Sequence, residues 1–271
     1  MTMSGEPHTY YGGDLIATAE DDDGLVQVVD LVGMRTLHFS SPVIQSLLDT
    51  NFPEYLQLEY TAIMALGLLM NEQPTKVMLI GLGGGALLHF IYHYFPSVSI
   101  DVIEKRPAVI QMAQAHFMLP DDPRIKLYCG DAQQLLGAFS GQYDVIFNDA
   151  YIADGPDLAM YAGEVYQQIL RLLSRDGVLV SNLWQRRVDD NLALITSLQR
   201  LFPVLAHHQD EEGRNCVLFA AGKAWSRKML EANCLEMTSR SGQAFNLHNL
   251  ALSYGTRALR WQLRLLRWLK H

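Results

Sequence analysis

The stretch Lys76-Val77-Met78-Leu79-Ile80-Gly81-Leu82-Gly83-Gly84-Gly85-Ala86 joins a short apolar run to a glycine-rich turn, and a second apolar segment of helical length follows it. The apolar run predicts a buried strand, and the glycines predict a tight strand-to-helix turn. Glycine there permits positive φ and lets a ligand approach the backbone, while the next helix points its first N–H groups at that ligand. By itself the turn suits a nucleotide cofactor, an adenosyl ligand, or no ligand at all.

Strand and helix keep alternating on the C-terminal side. Further strands are predicted at Val98 to Glu104, Arg124 to Cys129, Tyr143 to Asp149 and Gly177 to Asn182. Helices fit at Gly84 to Tyr94, Pro107 to Phe117, Ala132 to Phe139 and Ala159 to Leu173. This pattern predicts an α/β fold with a Rossmann-like, doubly wound, mainly parallel sheet, because each parallel crossover carries a covering helix. After a helix from Val188 to Leu201, the runs Pro203 to His208 and Asn215 to Gly222 predict an antiparallel pair at the sheet edge. On the N-terminal side, Leu25 to Leu31 and Arg35 to Phe39 flank Gly33 and predict a hairpin. Pro53 predicts the start of a helix that runs to Met70. The expected organisation is a small N-terminal β-hairpin domain over 1–50, a ligand-binding α/β domain over 51–225 and a helical C-terminal extension over 226–271.

Hydrophobic residues are 49% of the 271, and charged ones 18%, which suits a folded chain with a sizeable core. The net charge of −8 argues against a nucleic-acid binder and is compatible with cationic small molecules. The acidic run Glu20-Asp21-Asp22-Asp23 predicts a solvated loop. Cys129, Cys216 and Cys234 are far apart and read as reduced thiols in a cytoplasmic protein, not as a disulfide framework or zinc site. No basic segment followed by an apolar run marks a signal peptide, and the apolar stretch Tyr60 to Met70 is too short to span a bilayer.

In open α/β sheets ligands bind at the carboxyl ends of the strands, so the residues there carry the functional signal. Glu104 ends the second strand about 20 residues after the glycine turn, where a carboxylate accepts ribose hydroxyls of NAD or adenosyl ligands alike. Cys129-Gly130-Asp131-Ala132 puts an acid just past the third strand, where an adenosyl-sulfonium domain reads the adenine amine. A dinucleotide domain has no general need for that acid. Asn148-Asp149-Ala150-Tyr151 ends the fourth strand with an acid beside the reactive end of the ligand. A lone Asp at a strand end is more often a helix N-cap. Suitable residues at successive strand ends, in order, predict an adenosyl-ligand fold.

Other features point elsewhere. His207 and His208 are adjacent on a strand and face opposite sides, so an exposed edge strand is expected there, not a metal site. Trp184 reads as a substrate cover or as core or rim packing. Arg257, Arg260, Arg264 and Arg267 form one stripe of a helical wheel, with Leu259, Trp261, Leu263, Leu266 and Trp268 on the rest. Such a basic amphipathic helix is expected to dock on this protein or a partner subunit, with an anionic membrane surface as the alternative.

With these residues in view, the chain resembles the spermidine synthase (polyamine aminopropyltransferase) family over Leu25 to Gly222. The resemblance is carried by the hairpin with Gln45-Ser46, by Leu58-Glu59-Tyr60-Thr61 and by Pro74-Thr75-Lys76-Val77. It continues through Asp122-Pro123-Arg124-Ile125, Gly130-Asp131, Tyr143-Asp144-Val145-Ile146, Asp149, Gly155-Pro156, Glu164-Val165-Tyr166 and Asp176 to Ser181. It implies a class I methyltransferase fold, a co-substrate that is decarboxylated S-adenosylmethionine or S-adenosylmethionine, no metal, a small amine acceptor and a homodimer. Asp149 would be the catalytic acid residue that takes the amine proton. Glu104 would bind ribose, Asp131 and Ala132 the adenine, and Gly81, Gly83, Gly84 and Gly85 the thioether chain. Gln45 would close the site, with Glu59, Tyr151, Asp154 and Pro156 toward the acceptor.

The departures carry information too. Gly84 stands where the family has an aspartate that grips the aminopropyl ammonium, and Ile152 where a second acid holds the diamine. Gln57-Leu58 replaces the Tyr-His before Glu59, and Ala206 to Gln209 lacks the family's tyrosine-proline segment. Burying a diammonium without carboxylate partners is costly, so poor putrescine aminopropylation is expected. Two alternatives stand beside the family reaction: a methyltransferase using S-adenosylmethionine on an unknown substrate, and a non-catalytic ligand-binding member.

Overall fold

A computed structural model gives the protein's fold and describes residues 10–152, 155–184, 188–211, 214–245, 247 and 250–253. The chain opens with β1 (Asp14–Asp21), β2 (Gly24–Leu31), β3 (Met34–His38) and β4 (Ile44–Asp49), followed by α1 (Glu59–Leu69). Then come β5 (Lys76–Ile80), α2 (Ala86–Tyr94), β6 (Ser99–Glu104), α3 (Pro107–His116), β7 (Ile125–Cys129), α4 (Ala132–Leu135) and β8 (Tyr143–Asn148). The small strands β9 (Tyr151–Ile152) and β10 (Gly155–Pro156) precede α5 (Gly163–Leu172), β11 (Leu173–Trp184) and α6 (Val188–Leu201). Last are β12 (Val204–Gln209), β13 (Asn215–Ala221), α7 (Arg227–Ser241) and β14 (Ala251–Ser253).

The large sheet has eight strands in the order β14-β12-β13-β11-β8-β5-β6-β7. From β7 to β11 all neighbours are parallel, and β13, β12 and β14 add an antiparallel edge. Both faces are covered. Along β5, Val77 and Leu79 join one core cluster and Met78 and Ile80 the other, the period of two that a doubly covered strand requires. Strand order reverses between β5 and β8, so the crevice at their carboxyl ends is where such a sheet takes a ligand.

Several boundaries differ from the sequence reading. The expected N-terminal hairpin, β2 with β3, is the centre of a separate four-stranded antiparallel sheet in the order β1-β2-β3-β4. β1 carries no clear strand signal, because half of DLIATAED is polar, its apolar residues do not alternate and every second residue is exposed; pairing with β2 organises it. Pro53 lies in a turn, and α1 starts only at Glu59. The extended segment before it is tied down by the buried amide of Gln243, which accepts from Leu56 N at 3.2 Å and donates to Leu56 O at 2.6 Å. The helix expected over Ala132 to Phe139 is a short α4 followed by a 3-10 turn at Leu136–Ala138. That expected over Ala159 to Leu173 is a 3-10 turn at Leu158–Tyr161, capped by Asp157, and then α5.

Residues 226–271 are not helical throughout: α7 is a helix, but β14 joins the main sheet beside β12. His207 and His208 therefore do not lie on an edge strand, and His208 is buried, contrary to the expected exposure. The arginine-rich segment Arg257 to His271 lies outside the described residues. Among the described residues no helix is long and apolar enough to cross a membrane.

Candidate active site

A cleft of about 660 Å³ opens at the carboxyl ends of β5, β6, β7 and β8 and is roofed by the N-terminal sheet. Its floor is the glycine turn, through Gly81, Leu82 and Gly83; Gly84 and Gly85 do not line it. Gly81, Gly83 and Gly85 have φ of +96°, +55° and +80°, a region that side chains avoid. A Cβ at Gly81 would run into the backbone oxygen of Asp149, so only glycine lets the ends of β5 and β8 meet here. Gly81 N bonds Ile103 O, and Asp149 N bonds Ile80 O, both at 2.8 Å, which carries the sheet ladder up to the cleft.

Gly84 is enclosed for a different reason. A Cβ there would stand 2.6 Å from the ring of Phe117 and 2.9 Å from Ser46 Oγ. Both neighbours are buried. No side chain fits at Gly84 without moving Phe117, so the missing family aspartate is a filled space, not an open one.

Glu104 ends β6 inside the cleft and is buried. Oε2 accepts from Leu82 N at 2.9 Å and Oε1 from Arg106 N at 2.8 Å. Burial pushes its carboxyl above the usual range, against those amide bonds and the Arg106 charge. Asp131 does double duty. It caps α4 by accepting from Gln133 N at 2.9 Å, and it lines the cleft together with Ala132.

The acidic run at 20–23 is not simply solvated. The Asp21 side chain is 7% exposed and pairs with Arg106 at 2.7 Å. Burial raises its carboxyl, but the bond and charge of Arg106 outweigh that, with the amides of Ala108 and Asp23, and hold it below the ordinary value. The long-range contact could not be read from four consecutive acids.

Asp149 follows β8 and accepts from Asn182 Nδ2 at 2.9 Å and from the Tyr60 hydroxyl. Burial pushes its carboxyl up to about 6, while those two donors pull the other way. Tyr60 is itself raised by burial and by Asp149, so it stays a protonated donor. Asn182 Oδ1 is buried and has no partner among the described residues.

The remaining expected residues converge only in part. Gln45 and Ser46 enter from β4, and Glu59 from the start of α1, where it accepts from Glu211 N at 3.0 Å. Tyr151 lines the wall on β9, which pairs with β10 and so brings the Pro156 backbone opposite Tyr151. Asp154 lies outside the described residues. Trp184 lines the cleft and packs against Gly155. Among the described residues no group of His, Cys, Asp and Glu could hold a metal ion. Sequence reasoning overlooked Tyr60, Asn182 and Arg106. Asn182 ends the fifth parallel strand, so the strand-end rule that found Glu104 and Asp149 would have found it; Tyr60 and Arg106 carry no such signal.

A mainly parallel sheet with its ligand crevice at this switch point is a Rossmann-like, class I methyltransferase-type architecture. Residues 57–201 match the spermine/spermidine synthase domain family, and the chain belongs to it. It is similar to the polyamine aminopropyltransferase of Chromobacterium violaceum, 34% identical over 59% of this chain and 61% of that one. It is also similar to the eEF1A lysine and N-terminal methyltransferase of Mus musculus, 30% identical over 71% of this chain and 31% of that one. The chain thus spans less than two thirds of either relative. A solved spermidine synthase in complex with the transition state analogue AdoDATO superposes with a TM-score of 0.75 at 15% identity, covering 93% of this chain and 88% of that one, which shows the shared fold.

Proposed function

We propose that this protein is a transferase that binds decarboxylated S-adenosylmethionine or a related adenosyl ligand and moves an aminopropyl group to a polyamine-type amine. One observation carries the reading: Asp149, pushed up to about 6, shares one cleft with the glycine turn, Glu104 and Asp131. The fit of an adenosyl ligand is supported by the tight glycine turn and by carboxylates at successive strand ends, Glu104 buried and Asp131 and Asp149 half-buried. Glu104 takes the ribose hydroxyls, Asp131 and Ala132 the adenine, and the backbone of Gly81, Gly83, Gly84 and Gly85 the thioether chain. Gln45 closes the cleft from the N-terminal sheet, and the acceptor is assigned to Glu59 and Tyr151, which line the cleft, together with Asp154 and Pro156.

The ligand supplies an electrophilic methylene beside its sulfonium. Asp149 aligns the amine and accepts its proton as the new C–N bond forms and the C–S bond breaks. A carboxyl near 6 is ionised at neutral pH yet basic enough for that role. Asn182 Oδ1, without a partner among the described residues, offers a second acceptor for an amine N–H. The extents 1–50, 51–225 and 226–271, a homodimer and a cytoplasmic location complete the reading, with a small amine and not a nucleic acid as partner.

A second reading has its own support. Phe117 and Ser46 leave no room for a carboxylate at Gly84, and the mouse relative is named a methyltransferase. S-adenosylmethionine would then be the donor, and methyl transfer the reaction. Binding and turnover measured side by side with both donors, and with putrescine and longer polyamines as acceptors, test both. Aminopropyl transfer to any amine upholds the first reading, methyl transfer alone the second, and tight binding without turnover would leave a non-catalytic member.

A further inference from the structure

Arg106 belongs to both halves of the cleft. Its backbone N–H donates to Glu104 Oε1 at 2.8 Å. Its side chain runs away from β6 to the tip of the β1–β2 hairpin, where Nη2 donates to Asp21 Oδ1 at 2.7 Å and to Gly24 O at 2.6 Å. Nε donates to the same carboxylate, and the guanidinium lies 4.5 Å from the centre of the Phe39 ring. Asp21 Oδ2 also accepts from Ala108 N at 3.3 Å, in the first turn of α3.

Arginine and aspartate are both nearly sealed from water, at 5% and 7% side-chain exposure. Desolvating two charges costs about what their attraction returns, so well-packed apolar residues would hold the two sheets together as well or better. What the charged pair adds is direction. A planar guanidinium gripped by a carboxylate, a carbonyl and a ring face has one orientation, and it passes that orientation to the backbone bearing its own N–H. Asp23 and Phe39, which flank the contact, line the same cleft as Glu104, and so does Arg106 at its edge, although its side chain is only 5% exposed and turned into the Asp21 contact.

The geometry points to Arg106 as a positioning residue: pinned by Asp21, Gly24 and Phe39, it holds the Glu104 carboxylate in the orientation that receives a ribose diol. The N-terminal sheet thereby takes part in nucleoside recognition through a residue that need not touch the ligand. This inference rests on the adenosyl-ligand reading of Glu104 given above.

The test compares 5′-methylthioadenosine with its 2′,3′-dideoxy analogue by calorimetry on the full chain, as wild type, Arg106→Lys and Asp21→Asn. The wild type favours the diol ligand by on the order of tenfold or more, the value of hydrogen bonds to a charged acceptor. In both variants that preference falls several-fold, while affinity for the dideoxy analogue changes little. Equal weakening of both ligands, or no change, is what a purely structural pair would produce, and either result overturns the inference. If Arg106→Lys does not fold, Asp21→Asn carries the comparison, since it keeps the side-chain shape and an acceptor for the guanidinium. A wild type with no preference for the diol defeats the reading of Glu104 itself, and this inference with it.

Discussion

Asn182 Nδ2 donates to Asp149 Oδ1 at 2.9 Å from the neighbouring strand, because the register of β11 with β8 sets Ser181 opposite Asn148 and so brings the next residue of each to the cleft together. The Tyr60 hydroxyl reaches the same carboxylate from α1. Two donors hold the group in place, and burial still pushes it up to about 6.

If Asp149 is the general base, Asp149→Asn loses about 10²- to 10⁴-fold in turnover, while adenosyl affinity stays near that of the wild type. Steady-state rates paired with calorimetry check this. Turnover close to wild type removes Asp149 from the chemistry.

The rate should rise with pH through a limb near 6, as Asp149 gives up its proton. Tyr60→Phe removes a donor that stabilises the carboxylate, so the limb moves to higher pH. A pH–rate profile of the two proteins that overlays would break the link between Tyr60 and the base.

Stability carries the same signature with a definite sign. Burial raises the folded carboxyl above its ordinary value of 3.8, so the native state keeps a proton that the unfolded chain has lost. Stability therefore falls as pH rises from 3.8 to about 6 and stays lowered above that. Asp149→Asn, which lacks the titration, is expected to gain about 1–3 kcal/mol over wild type near pH 7.5 and little near pH 3.5. Denaturant melts at the two pH values read the difference directly.

Glu104→Gln keeps the shape of the side chain but loses its charge. Affinity for an adenosyl nucleoside should drop by roughly 1.5–3 kcal/mol, the range for hydrogen bonds to charged groups. Unchanged affinity in a titration would take Glu104 out of the site.

Gly84→Asp does not simply restore the family's donor contact. Its Cβ would meet Phe117 and Ser46, so overpacking should cost about 1–3 kcal/mol in thermal or denaturant melts. Adding Phe117→Ala to Gly84→Asp removes the ring contact and leaves only the rotatable Ser46 hydroxyl, and should raise the preference for decarboxylated S-adenosylmethionine over S-adenosylmethionine relative to wild type. A single Gly84→Asp variant as stable as wild type would mean the turn moves easily.

The sequence by itself determined the parallel α/β sheet and the cleft residues that end its strands: Gly81, Glu104, Asp131 and Asp149. Each lies within a few residues of a strand whose apolar period is local, and the strand-end rule turns that position into a place in the cleft. Only the tertiary structure decided that β1 is a strand, that α1 waits until Glu59, and that Phe117 fills the space beside Gly84. It also decided that Tyr60 and Asn182 meet on Asp149, and that Asp21 leaves water to hold Arg106. These outcomes depend on pairs far apart along the chain, such as Asp21 and Arg106 with a separation of 85 residues. Periodicity reports what a residue's neighbours allow; burial and charge pairing are set by whichever distant surface packs against it.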